Sequence, residues 1–433
     1  MRTRLCHPGA GELHYEIRAI VELAQQIESL GTPIIWENIG DPVAKGEPVP
    51  EWIRGIVQKA AGEESSYAYS PTKGLLATRE YIAKERNLEG GIHISPDDIL
   101  FFNGLGDAIA NLYDHLHPSA RIIGPNPAYP THSSSEAAHA GKPHITYALN
   151  PEKGWEPDLD DLERKIEEHA AIAGIIIINP DNPTGFVYPQ ETIRRIVAIA
   201  KRHKLFLISD EIYSNLAYTG SGMQKLASVI GDVPGIAMRG ISKEFPWPGA
   251  RCGWVEFYNR AADAEFDRYV TSLIQAKMLE VCSTTLPQKV LPEVMSDARY
   301  YPYLAERIRR YEMRSRMAVE TLSRIPEIIV HEARGAFYMT PVFRAGALDN
   351  IRPFPLGAKQ RHILAPYLEK AQPDQRFCYE LLAATGLCVV PLSSGFNANQ
   401  YGFRFTLLEQ DDERFKEILD TLVRSIRAYL PLS

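Results

Sequence analysis

Short apolar segments alternate with helical patterns along the middle of this 433-residue chain, and this alternation constrains its fold most. Between about residues 95 and 260, six runs have the composition of buried strands: 99–102, 121–123, 174–178, 205–209, 236–239 and 254–257. The clearest helix between them runs from Pro189 to Lys204, with proline at its start and basic residues at its end. Apolar strands separated by helices predict an α/β fold whose mostly parallel sheet is covered by helices.

The chain after residue 300 has a different pattern. A long helical periodicity runs from Tyr301 to Ile325 and stops at Pro326. The strand-like runs beyond it are 328–330, 336–339, 387–390 and 403–405, and the helical segments are 376–385 and 409–430. This grouping is typical of a small α+β lobe. Residues 344–375 lack a clear period, so we interpret them as an inserted loop with one short helix.

The length of the chain exceeds what one hydrophobic core usually supports, so we expect two lobes. An N-terminal helix at residues 15–30 is expected to join the second lobe. The predicted division is residues 1–48 for an N-terminal segment joining the small domain, 49–325 for the large domain and 326–433 for the small C-terminal domain.

Charge and apolar run length exclude several classes of function. The formal net charge of −7 argues against a nucleic-acid partner. No apolar run is long enough to cross a bilayer, and the first eight residues do not look like a signal peptide. Five cysteines without close pairing or metal-ligand spacing indicate reduced thiols, so we expect a cytoplasmic protein that holds no metal.

Lys243 and Arg251 form the first candidate site. A lysine that forms a Schiff base must be partly desolvated or close to another cation to be reactive at neutral pH. Arg251, eight residues later, offers a permanent cation whose planar shape suits a phosphate. Taken alone, a solvated lysine and arginine on a turn would explain the pair as well.

Asp210 and Tyr213 follow the apolar run 205–209. A carboxylate at a strand end can pair with the protonated ring nitrogen of a pyridine cofactor, and Tyr213 is close enough to reach the same ring. A helix-capping aspartate is the structural alternative. Asn182 lies in Asn-Pro-Thr-Gly after another apolar run, where proline and glycine fix a loop that can hold the amide toward a ligand.

Two further segments suit a phosphate and an aromatic ring. Gly104-Leu105-Gly106 follows the run 99–102 and opens a helix, whose N-terminal amides can bind phosphate. A dinucleotide fingerprint would need glycine at position 109, which is Ile109. Tyr129, in Asn-Pro-Ala-Tyr-Pro, could stack on a ring, although a core aromatic beside a turn is an equal alternative. Lysine, arginine, carboxylate, phenol and amide are together the groups that pyridoxal 5′-phosphate needs.

Asn182, Asp210, Tyr213, Lys243 and Arg251 match, in type, order and spacing, the class I/II aminotransferase family of fold-type-I pyridoxal phosphate (PLP) enzymes. The resemblance covers nearly the whole chain and is closest in pattern to the bacterial alanine aminotransferase branch. It implies that Lys243 forms the Schiff base and moves the proton. Asp210 would then keep the ring nitrogen protonated, and Asn182 and Tyr213 would hold the ring oxygen O3′.

The same resemblance implies roles for other residues. Tyr129 would stack on the ring, and Ser242 and Gly104 to Gly106 would join Arg251 at the phosphate. Tyr69 would reach the phosphate of the other subunit in a homodimer. Four positions would contact the substrate, namely Tyr15, Gly40, Asn182 and Arg404. A bidentate Arg404–carboxylate pair would fix the substrate's orientation. The insertion at 344–375 is not typical of the alanine aminotransferase branch.

The activity implied is ping-pong transfer of an amino group from an L-amino acid, alanine-like or broad, to a 2-oxo acid. A carbon–sulfur β-lyase or another elimination enzyme of the same fold is the alternative, since Arg404 and Gly40 fit either reaction. A PLP-binding regulator is a more distant alternative, because only about thirty residues precede the Gly40 loop. No arginine occurs at residues 277–283, where dicarboxylate-specific relatives often carry one. This absence argues against aspartate as the preferred amino donor.

Overall fold

The computed structural model describes residues 5–13 and 16–430, and these form fourteen α-helices and fifteen β-strands. The helices are α1 (Glu16–Glu28), α2 (Glu51–Ala61), α3 (Leu76–Leu88), α4 (Leu105–Asp114), α5 (Pro130–Ala140), α6 (Leu159–Glu168), α7 (Gln190–His203), α8 (Ala264–Glu280), α9 (Thr285–Ser296), α10 (Tyr300–Leu322), α11 (Ala358–Leu368), α12 (Pro373–Thr385), α13 (Leu392–Gly395) and α14 (Asp412–Tyr429). The strands are β1 (Ile35–Trp36), β2 (Ile99–Phe102), β3 (Arg121–Asn126), β4 (Thr146–Asn150), β5 (Glu156–Pro157), β6 (Ile172–Ile178), β7 (Phe206–Asp210), β8 (Gly235–Gly240), β9 (Gly253–Tyr258), β10 (Ile328–Ile329), β11 (Tyr338–Met339), β12 (Val342–Phe343), β13 (Leu387–Cys388), β14 (Val390–Pro391) and β15 (Phe403–Thr406).

The largest sheet of the described residues has eight strands in the order β2-β9-β8-β7-β6-β3-β4-β5. The pairings from β8 through β7, β6 and β3 to β4 are parallel, and those at either end are antiparallel. The predicted α/β fold with a mostly parallel sheet is confirmed. All six apolar runs expected to be strands lie in this sheet, and most of their side chains are buried because helices cover both faces.

The sheet contains two strands, β4 and β5, that the apolar pattern did not predict. Alternate residues of β4 are buried and half-buried, because this strand lies toward the end of the sheet. Its mixed composition, with threonine and asparagine at the ends, therefore lacks the continuous apolar character of the central strands. β5 has only two residues and pairs with β4 in the antiparallel direction.

Smaller sheets occupy the C-terminal part of the chain. β11, β15 and β14 form an antiparallel sheet, β10 pairs with β12, and β1 pairs in parallel with β13. The single strand expected at 387–390 is divided, because Leu387 and Cys388 pair with β1 whereas Val390 and Pro391 pair with β15. The strand expected from residue 336 begins at Tyr338, since Ala336 has φ +59°. The N-terminal segment therefore joins this part of the molecule through β1.

The inserted segment contains one helix of eleven residues, α11, as the sequence predicted. Leu356 and Leu364 of this segment are buried in a separate apolar cluster with the inner face of α1 and with α12. From α1 this cluster includes Ile20, Leu23, Ala24 and Ile27. The insertion thus packs against the N-terminal helix. Within the described residues, no helix combines the length and apolar character needed to cross a membrane.

Candidate active site

A cavity of about 740 Å³ lies at the carboxyl-terminal edge of the central sheet. In parallel sheets ligands bind beyond this edge, because the loops after the strands converge there. β7 ends in Asp210, and Asn182, Lys243 and Tyr129 follow β6, β8 and β3 within a few residues. Eleven predicted site residues line the cavity: Gly40, Leu105, Gly106, Tyr129, Asn182, Asp210, Tyr213, Ser242, Lys243, Arg251 and Arg404.

Lys243 lies three residues after β8, with its side chain half-buried in the cavity. Its Nζ donates a hydrogen bond of 2.7 Å to the carbonyl of Gly40. Burial is the main reason that the pKa of Lys243 is lowered to about 8, and Arg404 and Arg251 add to this effect. Asp41 opposes it. The unprotonated fraction of this amine at neutral pH is therefore far larger than that of an ordinary lysine, and the unprotonated amine is the form that a lysine nucleophile requires.

The Asp210 carboxylate is buried and faces the cavity. Its Oδ2 accepts a hydrogen bond of 3.2 Å from Nε2 of His132, and its Oδ1 accepts one from the amide of Ile212. Tyr213 is also buried, and burial raises its pKa well above the ordinary value. Its phenol therefore remains protonated and able to donate.

Arg404 extends from β15 into the opposite side of the cavity. Its Nη1 donates to Oδ1 of Asn182 at 3.1 Å, and its Nη2 donates to the carbonyl of Asn38 at 2.6 Å. The buried Nε has no hydrogen-bond partner among the described residues. Such a buried guanidinium can receive a carboxylate in two parallel hydrogen bonds.

Gly104 and Arg251 form a second region whose charge and backbone geometry suit an anion. Gly104 has φ +83° and directly precedes α4. A Cβ at this position would lie 2.4 Å from Nη2 of Arg251, so glycine allows the guanidinium to approach the first turn of the helix. Helix N-terminal amides and a guanidinium together suit a phosphate. Gly104 itself does not line the cavity but shapes it through this approach.

Besides Gly104, one predicted site residue in the described part of the chain does not line the cavity. Tyr69 is 85% exposed and does not line the cavity of its own chain. Tyr15 lies outside the described residues. Tyr129 lines the cavity, with its ring centroid 6.2 Å from that of His132 in an edge-on arrangement.

Four residues in or beside the cavity were not among the predicted site residues: Arg18, Asp41, His132 and Tyr338. Arg18, Asp41 and Tyr338 line the cavity, and His132 contacts Asp210. Tyr338 ends the segment Gly335-Ala336-Phe337-Tyr338, whose resemblance to a glycine-aromatic motif in the small domain of the family was the one available signal. His132 lies 78 residues before its partner, so only the sheet topology brings the two together.

One group of metal-competent side chains, Glu163, Glu167 and His203, lies between α6 and α7 and does not line the cavity. Glu163 already pairs with His203 and Arg202. The expectation of no metal stays a prediction.

The polar groups that line the cavity match the functional groups of PLP. One end presents Arg251 and the α4 N-terminus for a phosphate, the floor presents Asp210 for a ring nitrogen, and Lys243 presents an amine for the aldehyde. Arg404 and Asn182 lie on the side where a substrate carboxylate would need them.

Comparison with known proteins defines the class of protein. The family model for aminotransferase class I and II matches residues 34–422. The chain therefore belongs to this family and is an aminotransferase. A relative named as an uncharacterized aminotransferase of Methanocaldococcus jannaschii is 50% identical over 431 residues, which cover 99% of this chain and 100% of the relative. The glutamate-pyruvate aminotransferase AlaA of Escherichia coli K12 is 30% identical over 76% of this chain and 80% of its own.

Solved structures give the same result. Alanine aminotransferase from Pyrococcus furiosus is 27% identical, with a TM-score of 0.84 over 98% of this chain and 100% of that one. An aminotransferase from Escherichia coli superposes with a TM-score of 0.86 over the full length of both chains at 24% identity, which shows the fold alone. The predicted family, fold and activity are confirmed, and the β-lyase alternative is not favoured.

Proposed function

We propose that this chain is a PLP-dependent alanine aminotransferase that exchanges the amino group between L-alanine and a 2-oxo acid such as 2-oxoglutarate. The observation that carries the proposal is that Lys243, a half-buried amine with a lowered pKa, lies in one cavity with Arg251 and Arg404. The names of the Escherichia coli and Pyrococcus furiosus relatives support alanine as the donor.

The cofactor would be held by residues on three strand ends and one helix. Arg251, Ser242 and the amides at the start of α4 would bind the phosphate, with Gly104 leaving room for the guanidinium. Asp210, supported by His132, would pair with the ring nitrogen. When bound, PLP supplies an aldehyde for the amine and a ring that accepts the electron pair released at Cα.

The substrate would be oriented by three other groups. Arg404 and Asn182 would bind the α-carboxylate, and Gly40 would bring the chain close to it without a side chain in the way. Tyr213 and Asn182 would hold O3′, and Tyr129 would stack on the ring. With the carboxylate fixed, Nζ of Lys243 would take the proton from Cα and return it later, since its lowered pKa suits proton transfer near neutral pH.

We also propose a homodimer in which Tyr69 of the partner subunit reaches the phosphate. Tyr69 and Leu279 are among the most exposed apolar side chains, at 85% and 90%. Their segments are adjacent, because Ser70 Oγ donates to the carbonyl of Ser283 at 3.0 Å and Thr285 Oγ1 donates to that of Ala68 at 2.7 Å. An apolar patch of this kind supports an interface between copies.

The test uses the purified chain supplied with PLP, L-alanine and 2-oxoglutarate. Pyruvate and L-glutamate are expected in equal amounts. Lys243→Ala should lose turnover, whereas the matched control Lys416→Ala, at an exposed lysine of α14, should keep it. Equal turnover of Lys243→Ala and wild type would contradict the proposal.

A half-reaction separates the proposal from elimination chemistry. With L-alanine alone, pyruvate should form only in amounts equal to the enzyme sites and resume when 2-oxoglutarate is added. Continuous release of pyruvate and ammonia from a β-substituted amino acid, without need for a 2-oxo acid, would instead identify a lyase.

A further inference from the structure

Tyr338 contacts both Tyr213 and Arg404 in the candidate site. It begins β11, which pairs with β15 so that Tyr338 lies opposite Thr406. Arg404 lies two residues before Thr406 on the same strand, so Tyr338 and Arg404 are diagonal neighbours on one face of the sheet. The register of two short strands therefore fixes this pair, without any flexible loop.

The hydroxyl and the ring of the Tyr338 side chain contact different residues of the site. Its hydroxyl lies 3.0 Å from that of Tyr213. Its ring lies beneath the guanidinium of Arg404, whose Cζ is 4.3 Å from the ring centroid. A Cβ built on Gly40 would lie 2.1 Å from the Tyr338 hydroxyl oxygen, so this phenol also requires glycine there.

We propose that Tyr338 is a positioning residue which turns the Tyr213 phenol toward the cofactor oxygen and keeps Arg404 in place for the substrate carboxylate. This inference rests on the proposed function, because Tyr213 acts on the cofactor. No residue on the cofactor's phosphate or ring nitrogen is involved.

The direction of the hydrogen bond follows from a count of protons. A phenol has one proton and two lone pairs. Burial raises the pKa of Tyr213, so this phenol is protonated at neutral pH. If Tyr213 donates a hydrogen bond to an anionic cofactor oxygen, its own oxygen can only accept a hydrogen bond from Tyr338. The Tyr338 hydroxyl must then be the donor. The two bonds strengthen each other, since each polarises the next.

The ring of Tyr338 helps to orient Arg404. Arg404 stacks on it and is held at its far ends by Asn182 and Asn38, so the guanidinium plane has a fixed orientation. A planar cation over an aromatic face is attracted by the ring quadrupole. The hydroxyl of Tyr338 thus orients Tyr213, which binds the cofactor, and its ring orients Arg404, which binds the substrate carboxylate.

The first test is Tyr338→Phe in the PLP-loaded protein, read by the pH at which the cofactor absorbance is half changed. Without the hydrogen bond from Tyr338, Tyr213 donates more weakly to the anionic oxygen, which becomes more basic, so the midpoint should rise, by roughly half a pH unit. The matched control is Tyr147→Phe, which removes a hydroxyl from another buried tyrosine pair, Tyr147 and Tyr188 at 3.2 Å, outside the cavity. Its midpoint should equal that of wild type.

A double-variant cycle decides whether Tyr338 acts through Tyr213. Adding Tyr338→Phe to Tyr213→Phe should leave the midpoint of Tyr213→Phe unchanged, because the mediating phenol is already absent. Additive shifts would overturn the inference, as would an unshifted midpoint in Tyr338→Phe alone. Tyr338→Leu, which removes the ring as well, should lower kcat/KM for L-alanine about tenfold below Tyr338→Phe.

Failure of the proposed function is distinguishable from failure of this inference. A wild-type protein that shows no cofactor absorbance and no amino transfer refutes both. A wild-type protein with normal activity and a Tyr338→Phe midpoint equal to its own refutes only the role of Tyr338.

Discussion

Lys243 is the residue whose surroundings determine the reactivity of the site. Burial lowers its pKa to about 8, so half of the amine is neutral near that pH and nearly all of it is neutral well above that pH. The rate at which borohydride fixes added PLP onto Lys243 should therefore rise through about pH 8 and then level off. Peptide mass spectrometry measures the labelled fraction. A rate that climbs to pH 10, as for an ordinary lysine, would mean that the amine is not desolvated.

Arg404 offers a second residue-scale prediction. Arg404→Lys keeps the charge but loses the planar pair of donors that matches a carboxylate. The amino acid half-reaction should lose on the order of 2–3 kcal/mol in kcat/KM, while PLP affinity remains close to that of wild type. Stopped-flow kinetics with L-alanine and with a plain amine makes the comparison. If wild type and variant discriminate equally between the two, Arg404 does not bind the carboxylate.

The sequence revealed the residues that carry chemistry but not those that position them. Lys243, Asp210 and Asn182 follow recognisable strand ends, so their convergence could be predicted from the α/β pattern. His132 gave no such signal, since a histidine within a helix is an ordinary core residue, and Tyr338 gave only the short glycine-aromatic motif that ends with it. Their contacts depend on how α5 meets β7 and how β11 pairs with β15, which only the folded chain determines.

Among the elements, α1 depends on the insertion for its support. Leu364 of α11 is fully buried against α1 and α12, and Gln26 Nε2 donates to the hydroxyl of Tyr367 at 3.0 Å. The side of α1 that includes Ile17 and Val21 lines the cavity. The insertion therefore packs against the helix that forms one wall of the cavity.

Leu364→Ala should leave a cavity in this cluster and cost about 2–5 kcal/mol of local stability. Amide exchange in α1 is expected to accelerate, and KM for L-alanine to rise, while exchange in the central strands stays slow. Hydrogen-exchange mass spectrometry measures both regions. Leu88→Ala, at a leucine that is 72% exposed, is the control and should change neither. Uniform acceleration throughout the chain would instead indicate a general loss of stability.

The elements also show where sequence patterns stop being informative. The central strands are buried on both faces, so their apolar runs could be recognised directly. β4 lies toward the end of the sheet and alternates in burial, and β13 and β14 change partners within five residues. The pairing of these strands depends on residues far away in the chain, so local composition does not predict it.

At the scale of the whole molecule, the proposed dimer makes each site depend on two chains. Tyr69→Ala and Lys243→Ala should each have low activity as purified dimers. When the two are unfolded together and refolded, hybrid dimers contain one site with native Lys243 and a native Tyr69 from the partner subunit. Roughly a quarter of wild-type activity is then expected from random pairing. An inactive mixture would contradict the shared site.

The support of α1 by α11 has a consequence for how the enzyme can change. Substitutions in the insertion can shift the cavity wall at Ile17 and Val21 without altering any group that handles the cofactor. Selection, in nature or in a directed-evolution library, can therefore broaden or narrow the accepted amino acids while the catalytic machinery is inherited intact. Libraries aimed at residues 354–368 would search substrate range at little risk to turnover.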